Sequence, residues 1–133
     1  GNTNPNAALV MLDSIKLHSF QLSEYQNYKI ELLSIRLKDK ADIVPESDKQ
    51  IKNILPYFLA QGTVVDQQEA LYYAGSIYRD LRDFPSAINY FLQSIHKAET
   101  HIMECDSLLL RNAFSNLSYL YLQCLNISSF LSK

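Results

Sequence analysis

The side chains best suited to chemistry are grouped in one short stretch after the middle of the chain. They are two histidines, two glutamates and a cysteine: His96, Glu99, His101, Glu104 and Cys105. His101 and Cys105 are four residues apart, which would place both on one face of a helix, and imidazole and thiolate are zinc ligands. A zinc site also needs about four ligands held by oriented neighbours. We therefore interpret this group as a solvated junction between helices.

Two pairs of carboxylates are the only other candidates for catalysis. Asp39 with Asp42, and Asp80 with Asp83, could serve as acid and base, but both pairs adjoin predicted turns, where capping and solvation account for acidic residues. The chain has no G-x-S-x-G or H-E-x-x-H motif, and its three glycines are too few for a phosphate-binding loop. The sequence therefore predicts no enzyme, no cofactor and no metal.

Composition indicates a single helical domain or a short helical array. The chain has 133 residues, of which 47% are hydrophobic, and only 4 prolines and 3 glycines. The net charge of −2 is made of both signs spread along the chain, which argues against nucleic acid as a partner. No apolar run is long enough to cross a membrane, and we recognise no signal peptide.

Residues 69–98 carry the strongest helical pattern. Apolar and small residues recur there at helical spacing in two consecutive segments, and Arg82 and Asp83 leave room only for a tight turn between them. We predict an antiparallel hairpin whose apolar faces meet, with Gly75 opposite Ala87. The predicted inward residues are Leu71, Ala74, Gly75, Tyr78 and Leu81 in the first helix, and Phe84, Ala87, Ile88, Phe91, Ile95 and Ala98 in the second.

The hairpin resembles the tetratricopeptide repeat, a helical hairpin of about 34 residues with small and aromatic residues at fixed positions. With the repeat starting at Gln68, the matched positions are Leu71, Gly75, Tyr78, Phe84, Ala87 and Phe91. The resemblance implies an all-α fold, a tetratricopeptide-like superhelix of about three antiparallel helix pairs. It divides one array over residues 1–133 into a polar leader at 1–6, degenerate repeats at 7–62, a clear repeat at 67–99 and a further, truncated repeat at 104–133.

Capping signals predict where the helices begin and end. We expect a first helix capped by Asn6 and a second from Ser23 to about Lys40, whose inward residues are Tyr25, Ile30, Leu33, Ser34 and Leu37. We also expect capping boxes at Ser47–Gln50 and Asp66–Glu69, a left-handed Gly62 at the end of the third helix, a third-helix core that includes Leu59, and Asp83 as the cap of the fifth helix.

The last predicted helix runs from about Cys105 to Leu125, and Ile127–Lys133 is expected to begin another. Its repeat positions are taken as Phe114, Leu117, Ser118 and Tyr121, but leucines cover more than one face. A helix that is apolar all round is normally buried, so we expect either another repeat or a second copy of the chain to cover it. Cys105 and Cys124 are too far apart on such a helix for a disulfide.

The order of these segments is similar to that in the sensory parts of certain bacterial regulators. In those proteins a tetratricopeptide array outside the cytoplasmic membrane precedes a transmembrane helix and then a coiled coil or DNA-binding domain. This resemblance implies a non-enzymatic interaction or sensory domain of a bacterial signalling protein, on the periplasmic side, with the cytoplasm as the alternative. The residues that carry it are Ser47, Asp48, Tyr72, Tyr73, Gly75, Tyr78, Arg79, Asp80, Leu81, Asp83, Ala87, Tyr90 and Phe91.

In the family, the first helix of each repeat lines a concave groove that takes a peptide or a partner helix. Carried over by position, the implied partner-binding residues are Tyr28, Glu31 and Lys38 in the second helix, Glu69, Tyr72, Ser76, Arg79 and Asp80 in the fourth, and Asn112, Ser115 and Tyr119 in the last; Ile35, Asp39, Leu122 and Gln123 fall at equivalent positions.

Two alternatives stay open. Arg79 and Asp80 would equally suit a structural ion pair, and Tyr78 and Tyr90 ordinary packing. The chain as a whole would also suit a structural oligomerisation module that forms a homodimer through residues 105–133.

Overall fold

The computed structural model describes the backbone of residues 4–18 and 22–131 and the side chains of residues 4–17 and 22–126. Within this part of the chain the fold is entirely α-helical, which confirms the predicted class. There are six helices: α1 (Pro5–His18), α2 (Glu24–Lys40), α3 (Lys49–Gln61), α4 (Val64–Asp80), α5 (Phe84–Thr100) and α6 (Ser107–Leu131).

Helix α4 is the centre of the structure. Each helix packs against the next in sequence, and α4 additionally contacts both α2 and α6. Its residues from Ala70 to Tyr78 are all buried. The three-residue link 81–83 folds α5 back onto α4, as predicted, with Asp83 as the cap and Pro85 in the first turn of α5. The core of the molecule therefore lies around this hairpin.

Gly75 allows the two helices of the hairpin to approach closely. A Cβ built on Gly75 would lie 2.8 Å from Cδ1 of the Phe91 ring, which is fully buried. The predicted partner of Gly75 was Ala87, so the expected close approach is present but the residue that fills it is the Phe91 ring. In the same hairpin, the rings of Tyr78 and Tyr90 stack with centroids 5.5 Å apart. This is the packing role that the sequence left open for these two tyrosines.

Replacing Gly75 with alanine should destabilise the chain by about 1–2 kcal/mol. Overpacking a filled core costs about 1–3 kcal/mol, and the better helix propensity of alanine recovers up to about 1 kcal/mol. Urea unfolding followed by far-UV circular dichroism measures the change. Adding Phe91→Leu to Gly75→Ala should cost less than the sum of the two single changes, because the smaller side chain makes room for the methyl group. A variant more stable than the parent would contradict this packing.

Helices α2 and α4 are built as two copies of one unit, forty positions apart in the sequence. Each has 17 residues, and each begins with a complete capping box, Ser23 with Gln26 and Thr63 with Asp66. Each is followed by a residue in the left-handed region, Asp42 at φ 57° and Arg82 at φ 65°. This repetition of local structure is the strongest internal sign of a repeat architecture.

Four predicted helix ends are wrong. Helix α1 begins at Pro5, inside the predicted leader, and Asn4 rather than Asn6 accepts from its first amides. The box at Asp66–Glu69 is displaced because Thr63 caps α4 three residues earlier. The capping box predicted at Ser47–Gln50 is absent: the Ser47 hydroxyl accepts from the amide of Lys49 at 3.3 Å, but Gln50 donates to Glu31 instead of reaching back.

Gly62 is the fourth of these ends. It is extended, at φ −79°. A Cβ there would lie 2.6 Å from the carbonyl oxygen of Phe58, so glycine fits this position because of space and not because of a left-handed turn.

The inward faces of α2, α3 and α6 also differ from prediction. In α2 the structure buries Leu32 and Ile35 with Ser34, while Tyr25 and Leu33 are exposed, and Leu59 of α3 is exposed.

Helix α6 is one helix to Leu131, so no new helix begins at Ile127; residues 132–133 lie outside the described range. The α6 residues turned towards the core are Leu109, Ala113, Leu117 and Leu120, not Phe114, Ser118 and Tyr121. Cys105 precedes the helix, and both cysteines are free.

Candidate functional site

The predicted partner-binding residues fall into three groups in the structure. Tyr72 and Ser76 are buried, and so they are not on the surface. Tyr28 and Glu31 are occupied within the chain, since Tyr28 stacks on Tyr57 with centroids 4.0 Å apart and Glu31 accepts from Lys16 and Gln50. The remaining seven are at least partly exposed: Lys38, Glu69, Arg79, Asp80, Asn112, Ser115 and Tyr119.

Arg79 connects α4 to α2 and to α6, each of which contacts α4. From α4 it reaches Asp39 at the end of α2, at 3.2 Å, and Asp80 on its own helix, at 3.0 Å. Another guanidinium nitrogen donates to the side-chain oxygen of Asn116 on α6. The ion pair with Asp80 considered from the sequence is therefore present, as one arm of a larger network.

Tyr72 lies under this network. Its hydroxyl accepts from the amide of Asn116 at 3.1 Å, and burial raises the pKa of its phenol. Burial also raises the pKa of Asp39, an effect that Arg79 opposes and Asp80 reinforces. Asn116 was not among the predicted site residues, although its amide follows Asn112 by four residues and so lies on the same side of the last helix.

A surface pocket of about 390 Å³ opens beside the network. It joins the connector after α2, the end of α4, the start of α5 and the middle of α6, and the structure brings the predicted residues Arg79, Asp80 and Tyr119 together in its wall. Sequence reasoning missed the other lining residues. The full lining is Val44, Arg79, Asp80, Arg82, Phe84, Asn116 and Tyr119.

The pocket combines a cation with apolar and aromatic surface. The Arg82 guanidinium lies 5.1 Å from the centre of the Phe84 ring, and Val44 and Tyr119 are exposed. Among the described residues no carboxylate forms an ion pair with Arg82, whereas Arg79 is held by two. Arg82 is therefore the group in this pocket that can take an acidic side chain from outside.

The residues that resembled a metal site are not assembled into one. His101 ends α5, His96 belongs to a separate groove on α3, α4 and α5, and Cys105 lies in the turn before α6. Within residues 4–17 and 22–126 no three histidine, cysteine or acidic side chains are placed to share a metal ion.

The helices described for this chain are too short or too polar to cross a membrane.

A second surface groove, of about 450 Å³, lies between α1 and α2. Its lining is mainly aliphatic and includes Met11, Leu12 and Leu33, with Arg36 and Lys40 at the rim. It does not include any of the residues implied by the tetratricopeptide resemblance. The pocket beside Arg79 is therefore the better candidate for a specific site, because it combines the predicted residues with charge and hydrogen-bonding groups.

Comparison of the chain with models of protein families, with curated proteins and with solved structures found no match. The resemblance to the tetratricopeptide repeat therefore stays a prediction from the sequence.

Proposed function

We propose that this chain is a non-enzymatic protein-interaction domain that binds a segment of a partner protein in the pocket beside Arg79. The observation that carries the proposal is the pocket itself. It is of a size typical of binding sites, and the network of Arg79 with Asp39 and Asn116 connects its wall to α2 and α6 through α4. A segment bound there would touch α4 and α6 together, so binding would stabilise one arrangement of the helices over another.

The lining indicates what kind of segment fits. Arg82 lacks an ion-pair partner among the described residues, Tyr119 and Val44 offer apolar surface, and the Asp80 carboxylate can accept a hydrogen bond. An extended peptide that places an acidic residue next to an apolar one would satisfy all three features. We therefore propose a peptide or protein partner with that local chemistry.

The wider role follows the resemblance and is a proposal of the same kind. Two observations support a tetratricopeptide-like superhelix. Helix α4 contacts α2 and α6, and α2 and α4 begin with the same kind of cap. We propose that the array is the sensory or scaffold part of a bacterial signalling protein. A partner in the pocket would act on it mechanically, by changing how neighbouring helices pack.

The test is selection of binders from a display library of random linear peptides on the folded chain. The affinity of the selected peptides is then measured by fluorescence anisotropy. Tyr119→Ala and Arg82→Ala should each weaken binding by about tenfold, which is typical of a central interface residue. Selected peptides should be enriched in an acidic residue beside an apolar one.

Tyr121→Ala is the matched control for this experiment. Tyr119 and Tyr121 are 48% and 47% exposed, but they point to nearly opposite sides of α6, because two residues turn a helix by about 200°. Binding unchanged by Tyr121→Ala and weakened by Tyr119→Ala locates the peptide in the pocket. If no peptides are selected, or if the selected peptides ignore both pocket variants, the proposed function is wrong.

A further inference from the structure

The groove between α1 and α2 is an open copy of a surface that is covered elsewhere in the chain. Helices α2 and α4 correspond at a spacing of 40 positions, from their caps at Ser23 and Thr63 onwards. Helices α1 and α3, which precede them, correspond at a spacing of 43 positions when aligned at their last residues, His18 and Gln61. The pair α1–α2 can therefore be compared with the pair α3–α4 residue by residue.

The α1 residues that line the groove correspond to the buried residues of α3. The four pairs are Ala8 with Ile51, Met11 with Ile54, Leu12 with Leu55, and Ile15 with Phe58. Met11 and Ile15 are 67% and 44% exposed. Their equivalents, Ile54 and Phe58, are both 0% exposed. Helix α1 thus keeps an apolar residue at each core position of α3, but two of these positions are uncovered.

The α2 side of the groove shows the same relation to α4. The four pairs are Leu33 with Tyr73, Arg36 with Ser76, Leu37 with Ile77, and Lys40 with Asp80. In α4 the first three of these positions are buried. In α2, Leu33 is 39% exposed and Arg36 is also exposed. Something that covers α3 and α4 is therefore missing from the equivalent surface of α1 and α2.

Helix α2 is the element that covers the surface of α3 and α4. It contacts both of them. Its Tyr28 ring meets the Phe58 ring edge-on, with centroids 6.3 Å apart, and its Ile35 lines one crevice with Ser76 and Ile77. The shape that fills this kind of groove in this molecule is therefore a helix. A further helix in the same position on α1 and α2 would cover Met11 and Leu33.

The charges at the rim indicate an acidic helix. In the covered copy, Asp80 lines a crevice with Lys38 of α2. The equivalent of Asp80 is Lys40, so the sign of the charge is reversed in the open groove. Neither Lys40 nor Arg36 forms an ion pair with any described residue, and Glu69, whose pKa is lowered by the charge of Arg36, is not within ion-pair distance of it. A helix that fits therefore carries an acidic residue where α2 has Lys38.

The 133 residues of this chain do not supply such a helix. The stretches outside the described helices are all much shorter than the 17 residues of α2. A second copy is also a poor source, since five of its helices pack together in its own core and α6, whose outer face is apolar, has no acidic residue after Asp106. The charge of the rim thus favours a different protein as the source.

We propose that the groove between α1 and α2 binds one amphipathic helix of a partner protein, in the position that α2 has on α3 and α4. The helix presents apolar residues at every third or fourth position to Met11, Ile15 and Leu33, and an acidic residue to Lys40 and Arg36. The groove shares no residue with the pocket beside Arg79, so the inference does not depend on the proposed function.

The first test selects binders on the folded chain from a display library of helical peptides with an alanine-rich scaffold and one randomised face. Fluorescence anisotropy then gives their affinities. Met11→Glu should weaken binding at least about tenfold, because a charge would be buried against the helix. Val10→Glu is the matched control and should change binding less than about twofold, since Val10 and Met11 are 69% and 67% exposed on the same helix but Val10 does not line the groove. Both variants should keep the parent's circular dichroism spectrum.

The second test exchanges the charges. Selected peptides should be enriched in glutamate or aspartate, and Lys40→Glu should weaken their binding about threefold to fivefold, as expected for an exposed ion pair. The same peptide with lysine in place of its acidic residue should bind Lys40→Glu more tightly than it binds the parent. This double-mutant cycle isolates the contact between the two charges.

Four results would overturn the proposal. If no helical peptide is selected, or if the selected peptides bind Met11→Glu as tightly as the parent, the groove does not take a helix. If lysine-bearing peptides bind the parent as tightly as acidic ones, the acidic chemistry is wrong. If sedimentation velocity shows a dimer that Met11→Glu abolishes, the occupant is a second copy. Tyr119→Ala, in the pocket beside Arg79, should leave helix binding unchanged, so this proposal and the proposed function fail separately.

Discussion

Replacing Gln68 with leucine should lower the free energy of unfolding by about 3 kcal/mol, a large part of the stability of a domain of this size. Gln68 is 0% exposed, and both polar atoms of its side chain are hydrogen-bonded. Its side-chain amide donates to the backbone carbonyl of Asp106 at 2.9 Å, and its side-chain oxygen accepts from the amide of the same residue at 2.8 Å. Leucine would leave both backbone groups unpaired, at about 1–3 kcal/mol each, partly offset by its own burial.

The loss of stability in Gln68→Leu should be greatest in α6. Asp106 is the residue that starts this helix, because its carboxylate accepts from the amide of Leu109 at 3.0 Å. Gln68 therefore fixes the beginning of α6 to the first part of α4. In Gln68→Leu, amide hydrogen exchange in α6 should speed up more than exchange in α4 and α5, since the helix can detach locally before the core unfolds.

Urea unfolding with a far-UV circular dichroism readout measures the loss, with an unchanged m-value expected if the folded state is intact. Gln93→Leu is the control, because Gln93 is exposed on α5 and its substitution should change stability by less than about 0.5 kcal/mol. Equal losses in the two variants would contradict the role assigned to Gln68.

The hairpin could be predicted from the sequence because every local signal there agrees. The apolar periodicity, the tight turn at Arg82 and the small Gly75 all indicate the same pair of helices. Helix α6 lacked this agreement. Its leucines occur on several faces, so periodicity alone could not distinguish the small Ala113, which is buried, from the small Ser118, which is exposed.

Only some of the residues that line the candidate pocket could be predicted from the sequence. The resemblance implied Arg79, Asp80 and Tyr119, and the structure places these three around one pocket. It could not imply Val44, which reaches the pocket only because of the path that the connector takes after α2. Nor could it show that Tyr72 is buried, because burial of a groove residue depends on how closely α2 and α6 approach α4.

The burial of polar residues was the other feature that the sequence did not predict. From the sequence, Gln68 was the start of the repeat and Asp66 part of a capping box, and neither was predicted to be buried; the structure buries both and gives both hydrogen-bond partners. Such residues are found only when their partners are known, and the partners are 37 and 38 positions away in the sequence.

Replacing Asp66 with asparagine should destabilise the chain by about 2 kcal/mol at neutral pH. Asp66 is 3% exposed, and its carboxylate accepts from the Tyr25 hydroxyl at 2.8 Å and from the Lys29 ammonium at 2.9 Å. It also accepts from the amide of Thr63 at 3.1 Å in the capping box of α4. Hydrogen bonds to a charged group are worth about 1.5–3 kcal/mol each, but Lys29 is partly exposed, so its share is reduced by solvent.

The effect should depend on pH in a defined direction. Burial alone would raise the pKa of Asp66, but the hydrogen bonds from Lys29, Tyr25 and Thr63 outweigh burial and lower it. The folded pKa is then below the unfolded value of about 3.9, so the unfolded chain binds the proton more readily. The stability that Asp66 contributes is thus fully present above about pH 5 and is lost as the pH falls through the folded pKa.

The measurement is the difference in unfolding free energy between the parent and Asp66→Asn at a series of pH values from neutral to acid. This difference should shrink as the pH falls, because protonated Asp66 and asparagine make similar contacts. The other carboxyls with a shifted pKa are present in both proteins, so their effects largely cancel; the pKa is lowered for Glu31 and Asp48 and raised for Asp39 and Glu69. Asp13→Asn, at an exposed position of α1, should give a difference near zero throughout. A difference for Asp66→Asn that stays constant down to acid pH would mean that the carboxylate is not held in its charged form by α2, and the ion pair of Arg79 with Asp39 would then be the charged link between α2 and α4.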